Sequence, residues 1–314
     1  MSGRTKAVII GVQVLVVAAV LAALFALGSS SPDGDGEARS SATAPAPAPA
    51  PRVDRFDGDR AFGLLRTQVQ RFGPRPAGSA ASRRTAEWAR RQLPRGRFEA
   101  IPRHPRLRNV VGVLPGRRPA VVVAAHYDTE ATVPGHVGAN DGAAGTAAVL
   151  ELARAMRARR APAGAREVRF VLFDGEEEPK GCPDGEFYAC ALRGSKAYAA
   201  RHARQVGELV LLDYIAEKGT RIPQEGTSDP ELWARLRAAA ARVGAERTFP
   251  DLVGPAIIDD HTPFLRRGVT AIDLIDFDYP VRDTTEDDLD AVSAASLDAV
   301  GETVLELLTE LRRG

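Results

Sequence analysis

Lysine is almost missing from this chain. It stands only at Lys6, Lys180, Lys196 and Lys218, and every other basic residue is an arginine. That bias reflects composition and carries no functional reading. Net charge is also missing: at +1 the molecule has no overall basic field of the kind nucleic acid requires. Aromatics make up 6% of residues, and the two tryptophans, Trp88 and Trp233, fall in helix-like stretches where core packing is the simpler role. Two cysteines are too few to complete a thiolate metal centre. No internal repeat is visible.

The apolar residues that are present are unevenly spread. Ala7 to Leu27 is apolar apart from Gly11 and Gln13, follows Arg4 and Lys6, and precedes "SPDGDGE". A run of that length spans roughly 30 Å as a helix, enough for a bilayer core. The basic flank predicts a cytoplasmic tail at residues 1–6, a signal anchor at 7–28 and an extracytoplasmic remainder. The chain is then expected to be a single-pass plasma-membrane protein. A cleaved signal ending near Ala26 and Gly28 is the alternative and would make the protein secreted. Residues 29–52, with "APAPAPAP", read as an extended linker. The folded part is expected over 53–314. In an exported protein Cys182 and Cys190, eight apart, suggest a disulfide, with two buried free thiols as the rival reading.

Within the folded part, strands are expected at Asn109–Leu114, Ala120–Ala125, Val168–Phe173, Leu209–Leu212 and Ala271–Ile275. Helical stretches are expected in Arg60–Leu93, Gly142–Arg159, Ser195–His202, Pro230–Val243 and Ser293–Leu311. Continuous apolar runs such as "AVVVAA" suit strands covered on both faces. The alternation predicts an α/β domain with a mostly parallel central sheet.

Ligand-type residues collect where those strands stop. "AVVVAAHYDTE" ends in His126 and Asp128, "GANDGAAG" holds Asp141, and "FVLFDGEEEPKG" carries Asp174 and three glutamates. "LVLLDYI" supplies Asp213, "IIDDHTPF" supplies Asp259, Asp260 and His261, and "VRDTTEDD" supplies Asp283. Acidic runs are usually solvated. Parallel strands, however, deliver their carboxyl ends to one edge of a sheet, where ligands bind. Carboxylates buried there unpaired would cost several kcal/mol, and a divalent cation removes the conflict. Histidine with carboxylates suits zinc, whose bound water becomes a nucleophile near neutral pH.

From "NVVGVLPG" to "TVLELL" the chain resembles the M28 zinc metallopeptidase family, and within it the glutaminyl cyclases. The order "AHYDT", "GANDGAAG", "FDGEE", "LVLLD", "DDHTPFLRRGV" carries the likeness. The resemblance implies a single three-layer zinc-exopeptidase-like domain with one or two Zn²⁺ ions and a peptide N-terminus as substrate. It implies that His126 binds a metal with Asp128 orienting it, and that Asp141 bridges two metals or binds one. Glu176 becomes the general base and acid, and Glu177 a metal ligand. Asp213 becomes a second-metal ligand, or a member of a hydrogen-bond network with Asp259. Glu178 is left as a solvated remainder, and Asp174 as an acceptor of turn N–H groups.

Two departures stand out. Where the family places its last histidine ligand, this chain has Asp283, expected to ligate the metal in its place (with Asp141 and Glu177 in a one-metal site) or else to be a loop acid at an impaired site, beside Arg282 in place of a cyclase tryptophan. Pocket aromatics are then expected from Phe277 or Tyr279. The remaining histidines take the bland reading: His104 and His202 as surface residues, His136 as a loop residue before "VGAND" with reach to the site only as the minor alternative, and His261 as structural or, if Asp283 is no ligand, the substitute for it. Three readings follow: a glutaminyl cyclase, an aminopeptidase, or a membrane-tethered binding module on a decayed enzyme fold.

Overall fold

The computed structural model describes residues 50–313. The expected membrane span and most of the linker lie outside the described residues. Among the described residues no helix is long and apolar enough to cross a membrane.

Six strands form one sheet: β1 (Arg97–Ala100), β2 (Arg108–Leu114), β3 (Arg117–His126), β4 (Arg166–Phe173), β5 (Val206–Asp213) and β6 (Thr270–Ile275), in the order β1-β2-β4-β3-β5-β6. β4, β3, β5 and β6 are parallel, and β2 runs antiparallel to both β1 and β4. The expectation of a mostly parallel sheet is therefore met in the centre, and the sheet as a whole is mixed. β1 is additional to the expected strands. It is four residues long with one buried side chain, too short for an alternation to register.

The strands are apolar on both faces because helices cover both. Val121, Val123 and Ala125 face one core with α1 (Gly58–Thr67), α2 (Ala80–Arg90), α3 (Gly145–Arg157), α6 (Pro230–Val243) and α8 (Ala294–Arg313). Val122 and Ala124 face a second core with α5 (Arg193–His202) and α7 (Thr262–Leu265). The period-two alternation of a strand feeds both layers from one sequence. Each fully buried Val or Leu contributes about 1.5–3 kcal/mol. A short α4 (Phe187–Cys190) lies before α5 and ends at the disulfide between Cys182 and Cys190.

Helix ends follow local chemistry. Asp57 and Asp229 cap α1 and α6 by accepting from Arg60 N and Leu232 N. Pro230 opens α6, and Gly244 closes it in the left-handed region. The two ends of the folded unit interlock. Glu302 on α8 accepts from the backbone N–H groups of Arg55 and Phe56. The Phe56 ring sits so close over Gly301 that a Cβ there would collide with it.

β3 is central. From it the chain crosses through α3, on one face, to β4, then through α5, on the other face, to β5 on β3's far side. Such a switch leaves a crevice at the carboxyl end of β3, where His126 stands.

Candidate active site

His126 ends β3, and Asp213 ends β5. Ala124 pairs with Leu211, so the two side chains, each two residues further on, are level. His126 Nε2 lies 3.3 Å from Asp213 Oδ1 and 3.2 Å from Asp141 Oδ1. Asp141 arrives on the turn of "GANDGAAG", an irregular helical turn over Ala139–Ala144 that delays the start of α3 to Gly145. Gly142 takes φ +81° there, and a Cβ would strike Asp128 O at 2.7 Å. At Gly145 a Cβ would run into Leu212 O, so glycine lets the helix start against β5.

That turn is held by residues the sequence does not expose. Asp287 accepts from the backbone N–H groups of Asn140 (2.8 Å) and Asp141 (3.0 Å), and from Tyr279 Oη (2.8 Å). Arg75 is fully buried and donates to the carbonyls of Tyr127 (2.8 Å), Val137 (2.5 Å) and Gly138 (2.9 Å). Burial pushes Arg75 down to about 10, against the pull of Asp141 and Asp287. In so arginine-rich a chain nothing marks this arginine as internal.

The glutamate turn is shaped by Asp128. β3 stops at His126, so Asp128 stands two residues beyond the strand. Asp128 Oδ1 is 3.8 Å from His126 Nδ1, too long for a hydrogen bond. Its carboxylate instead accepts from Gly175 N (3.0 Å), Glu176 N (3.2 Å) and Glu177 N (3.3 Å). Asp174, expected to serve the same turn, accepts from Arg108 N on β2 at 2.9 Å. Glu176 and Glu177 are thereby both aimed inward and buried, whereas Glu178 is half-buried.

Among the described residues three sets of ligand-type side chains bring their donor atoms within 4.8 Å of one another: His126–Asp141–Asp213, His126–Glu176–Glu177 and Asp259–His261–Asp273. The first two share His126. Asp141, Glu177 and Asp283, the set expected of a one-cation site, are not assembled to that reach among the described residues. Asp283 lines the same cleft: its Oδ2 pairs with Arg282 Nε at 3.3 Å, and its Oδ1 meets Tyr214 Oη at 3.3 Å, a hydroxyl that also lies 3.1 Å from Asp141 Oδ2. His136 is fully buried; its Nε2 lies 3.3 Å from Asp141 Oδ2 and its Nδ1 2.7 Å from Thr284 O. His261 is buried, 3.3 Å from Glu225 Oε2 and 3.4 Å from Asp273 Oδ2. His202 pairs with Glu99 at 2.8 Å.

Electrostatics marks the same floor. Burial drives Glu176 well above the carboxylate range; His126 opposes this, and Asp259, Asp260 and Asp213 reinforce it. Burial, Asp141 and Glu176 raise Glu177 likewise. Asp213 is pushed up to about 7, mainly by burial. Asp141 goes the other way: burial is outweighed by His126 and His136, which hold it well below the usual range. Burial works against a charged His126, yet Asp213 and Asp141 carry it well up. Buried carboxylates that share so few positive partners fit a divalent cation. The distances agree, since two ligand atoms at about 2.0–2.1 Å from a tetrahedral zinc stand roughly 3.3 Å apart. His126 Nδ1 and Glu177 Oε1 are buried without a hydrogen-bond partner, which is the donor chemistry a cation would satisfy.

Above this floor opens a cleft of about 710 Å³. Asp141, Glu176, Glu177, Asp213 and Asp259 line its base, and Phe187, Ile258 and Phe277 its wall. Phe277 is thus one of the pocket aromatics, with Phe187 and Tyr214, and is stacked under Arg282 at 3.8 Å. Tyr279 is not on the cleft wall; it is buried on Asp287.

A mixed six-stranded sheet between helices, with histidine and carboxylates at its carboxyl edge, is an α/β architecture whose site could hold a metal ion. Residues 109–308 match the model of Peptidase family M28, and the chain belongs to that family. It is 27% identical over 238 residues to the glutaminyl-peptide cyclotransferase of Boiga irregularis, covering 64% of this chain and 65% of that one. The match thus spans just under two thirds of the relative's length. Among solved structures it resembles a glutaminyl cyclase of an Acidobacteriales bacterium (TM-score 0.72, 26% identity, 91% and 100% of the two chains). It equally resembles a leucine aminopeptidase precursor of Bacteroides thetaiotaomicron (TM-score 0.73, 25% identity, 82% and 99%).

Proposed function

We propose that this chain is a zinc-dependent glutaminyl cyclase, converting an N-terminal glutamine to pyroglutamate with release of ammonia. The carrying observation is that Asp259 lines the same cleft as Glu176 and bears on its charge. The resemblance associates an aspartate there with cyclases, and serine or threonine with many of the peptidases. The cyclotransferase and cyclase relatives support the reading.

Zinc, held by His126, Asp141 and Asp213, with Glu177 nearby, would supply charge to polarise the side-chain carbonyl of the substrate. The α-amine nitrogen attacks the side-chain amide carbon; the new C–N bond forms as the bond to the amide nitrogen breaks. Glu176 takes a proton from the attacking amine and delivers it to the departing nitrogen, which leaves as ammonia. A carboxyl with a raised pKa suits both halves of that transfer. Asp259 and Asp213, close to Glu176, offer carboxylate acceptors to the N–H groups of the attacking neutral amine at the cleft base. Phe277 and Ile258, both partly exposed, offer apolar contact to the following residue.

Aminopeptidase activity is the second reading. It draws on the His126–Asp141–Asp213 set, which suits a two-metal peptidase, and on the aminopeptidase neighbour. One assay separates them. The full chain is incubated with Gln-, Leu- and Ala-initiated peptides and the products are weighed by mass spectrometry. Loss of ammonia from the Gln peptide alone supports cyclisation, a shortened peptide supports hydrolysis, and no product from any peptide returns the chain to a membrane-tethered binding role. The anchor at 7–28 is proposed to hold the enzyme outside the cytoplasmic membrane.

A further inference from the structure

We infer that His136 is a metal ligand, replacing from an upstream loop the histidine that Asp283 has displaced. The inference rests on the reading that the carboxylate floor binds a divalent cation. Asp141 has two oxygens with different company. Its Oδ1 faces His126 Nε2 at 3.2 Å, and its Oδ2 faces His136 Nε2 at 3.3 Å. Both separations equal the edge of a zinc tetrahedron, roughly 3.3 Å. Asp141 is therefore placed to bridge two cations, each with one imidazole.

The tautomer of His136 follows from its other contact. Thr284 O, 2.7 Å from Nδ1, can only accept, so Nδ1 carries the proton. In the neutral ring Nε2 then presents a lone pair to a carboxylate oxygen. The two are joined either by a second ring proton or by a cation between them, and a cation also answers the excess of buried carboxylates around Asp141. A backbone carbonyl on the outer nitrogen is also the usual support of a metal-bound histidine. Tyr214 Oη, 3.1 Å from Asp141 Oδ2, and Asp283 Oδ1 beyond it are the next oxygens on this side. Glu177 Oε1, buried and unpartnered, is a further candidate. The loop that carries His136 is braced from beneath, because Arg75 holds the carbonyls of Val137 and Gly138, and His136 itself is fully buried.

The test measures metal, not turnover. The purified full chain is stripped with a chelator and titrated with Co²⁺, reading bound equivalents and visible absorption. His126→Ala, His136→Ala and His136→Gln are compared. Ligation by His136 predicts that His136→Ala loses one equivalent, or at least a hundredfold in the affinity of one site, with a changed cobalt spectrum. His136→Gln, which keeps a donor to Asp141, fails to restore it. Rescue by His136→Gln, or a spectrum and stoichiometry unchanged in His136→Ala, overturns the inference and leaves His136 as a positioning residue. If His126→Ala also binds as the parent does, the cation reading itself falls. Should His136→Ala not fold, by circular dichroism, His136→Gln alone decides: parental binding overturns, lost binding supports.

Discussion

Glu176 and Glu177 are adjacent in the chain, share the same three-contact support from Asp128, and both bring a carboxylate oxygen to His126. Glu176→Gln removes the proton carrier but keeps the shape. It should lower kcat by roughly 10²–10⁴-fold while metal content and melting temperature stay at parental values. Steady-state kinetics with metal analysis checks both. Glu225 shows the opposite electrostatics. Burial opposes its charge, but His261 and the N–H groups of Ile257 and Thr227 hold it down at about 2. Because its folded pKa lies below its unfolded value of 4.5, its stabilisation is present above about pH 4.5 and disappears as pH falls toward 2. Glu225→Gln should cost on the order of 2 kcal/mol at neutral pH and flatten the loss of stability between those limits. Urea melts at several pH values read this directly. At this scale the chain is most legible where chemistry and position coincide. His126, Asp141, Glu176 and Asp213 stand out from strand ends alone, whereas Asp128's contacts depend on the single residue at which β3 stops, which no pattern fixes.

At the scale of elements, apolar runs announce β2 to β6, and the glycines of "GANDGAAG" announce an unusual turn before α3. The support of that turn stays hidden. Arg75 and Asp287 come from 66 residues before Asp141 and 146 residues after it, and act on backbone atoms that carry no sequence signal. Short elements such as β1 and α7 escape a sequence reading because their length gives no period. Arg75→Met would leave several buried carbonyls without a donor, each at about 1–3 kcal/mol. A loss of about 3–5 kcal/mol is expected in denaturant unfolding, together with weaker metal retention on dialysis, since the same contacts fix Asp141. A surface arginine such as Arg84 should give no comparable change.

For the molecule as a whole, the six strands bring distant segments to one crevice, and the outer decoration can vary around it. The disulfide closes a short loop at the surface, beside Phe187 of the cleft wall. Chain entropy for so small a loop amounts to about 2–3 kcal/mol at most. The double variant Cys182→Ser/Cys190→Ser should therefore stay folded by calorimetry, and any change in kinetics should appear in KM rather than kcat.

The clasp of Phe56 over Gly301 sets a practical limit on engineering. Any shortened version of the chain has to begin upstream of Arg55, because α8 relies on that incoming segment to cover Glu302 and fill its notch. A version starting at Val53 should melt as one cooperative unit. One starting at Gly58 should unfold several degrees lower and expose the last helix first to protease. The opening of the fold and the middle of its last helix are in effect a single fastening.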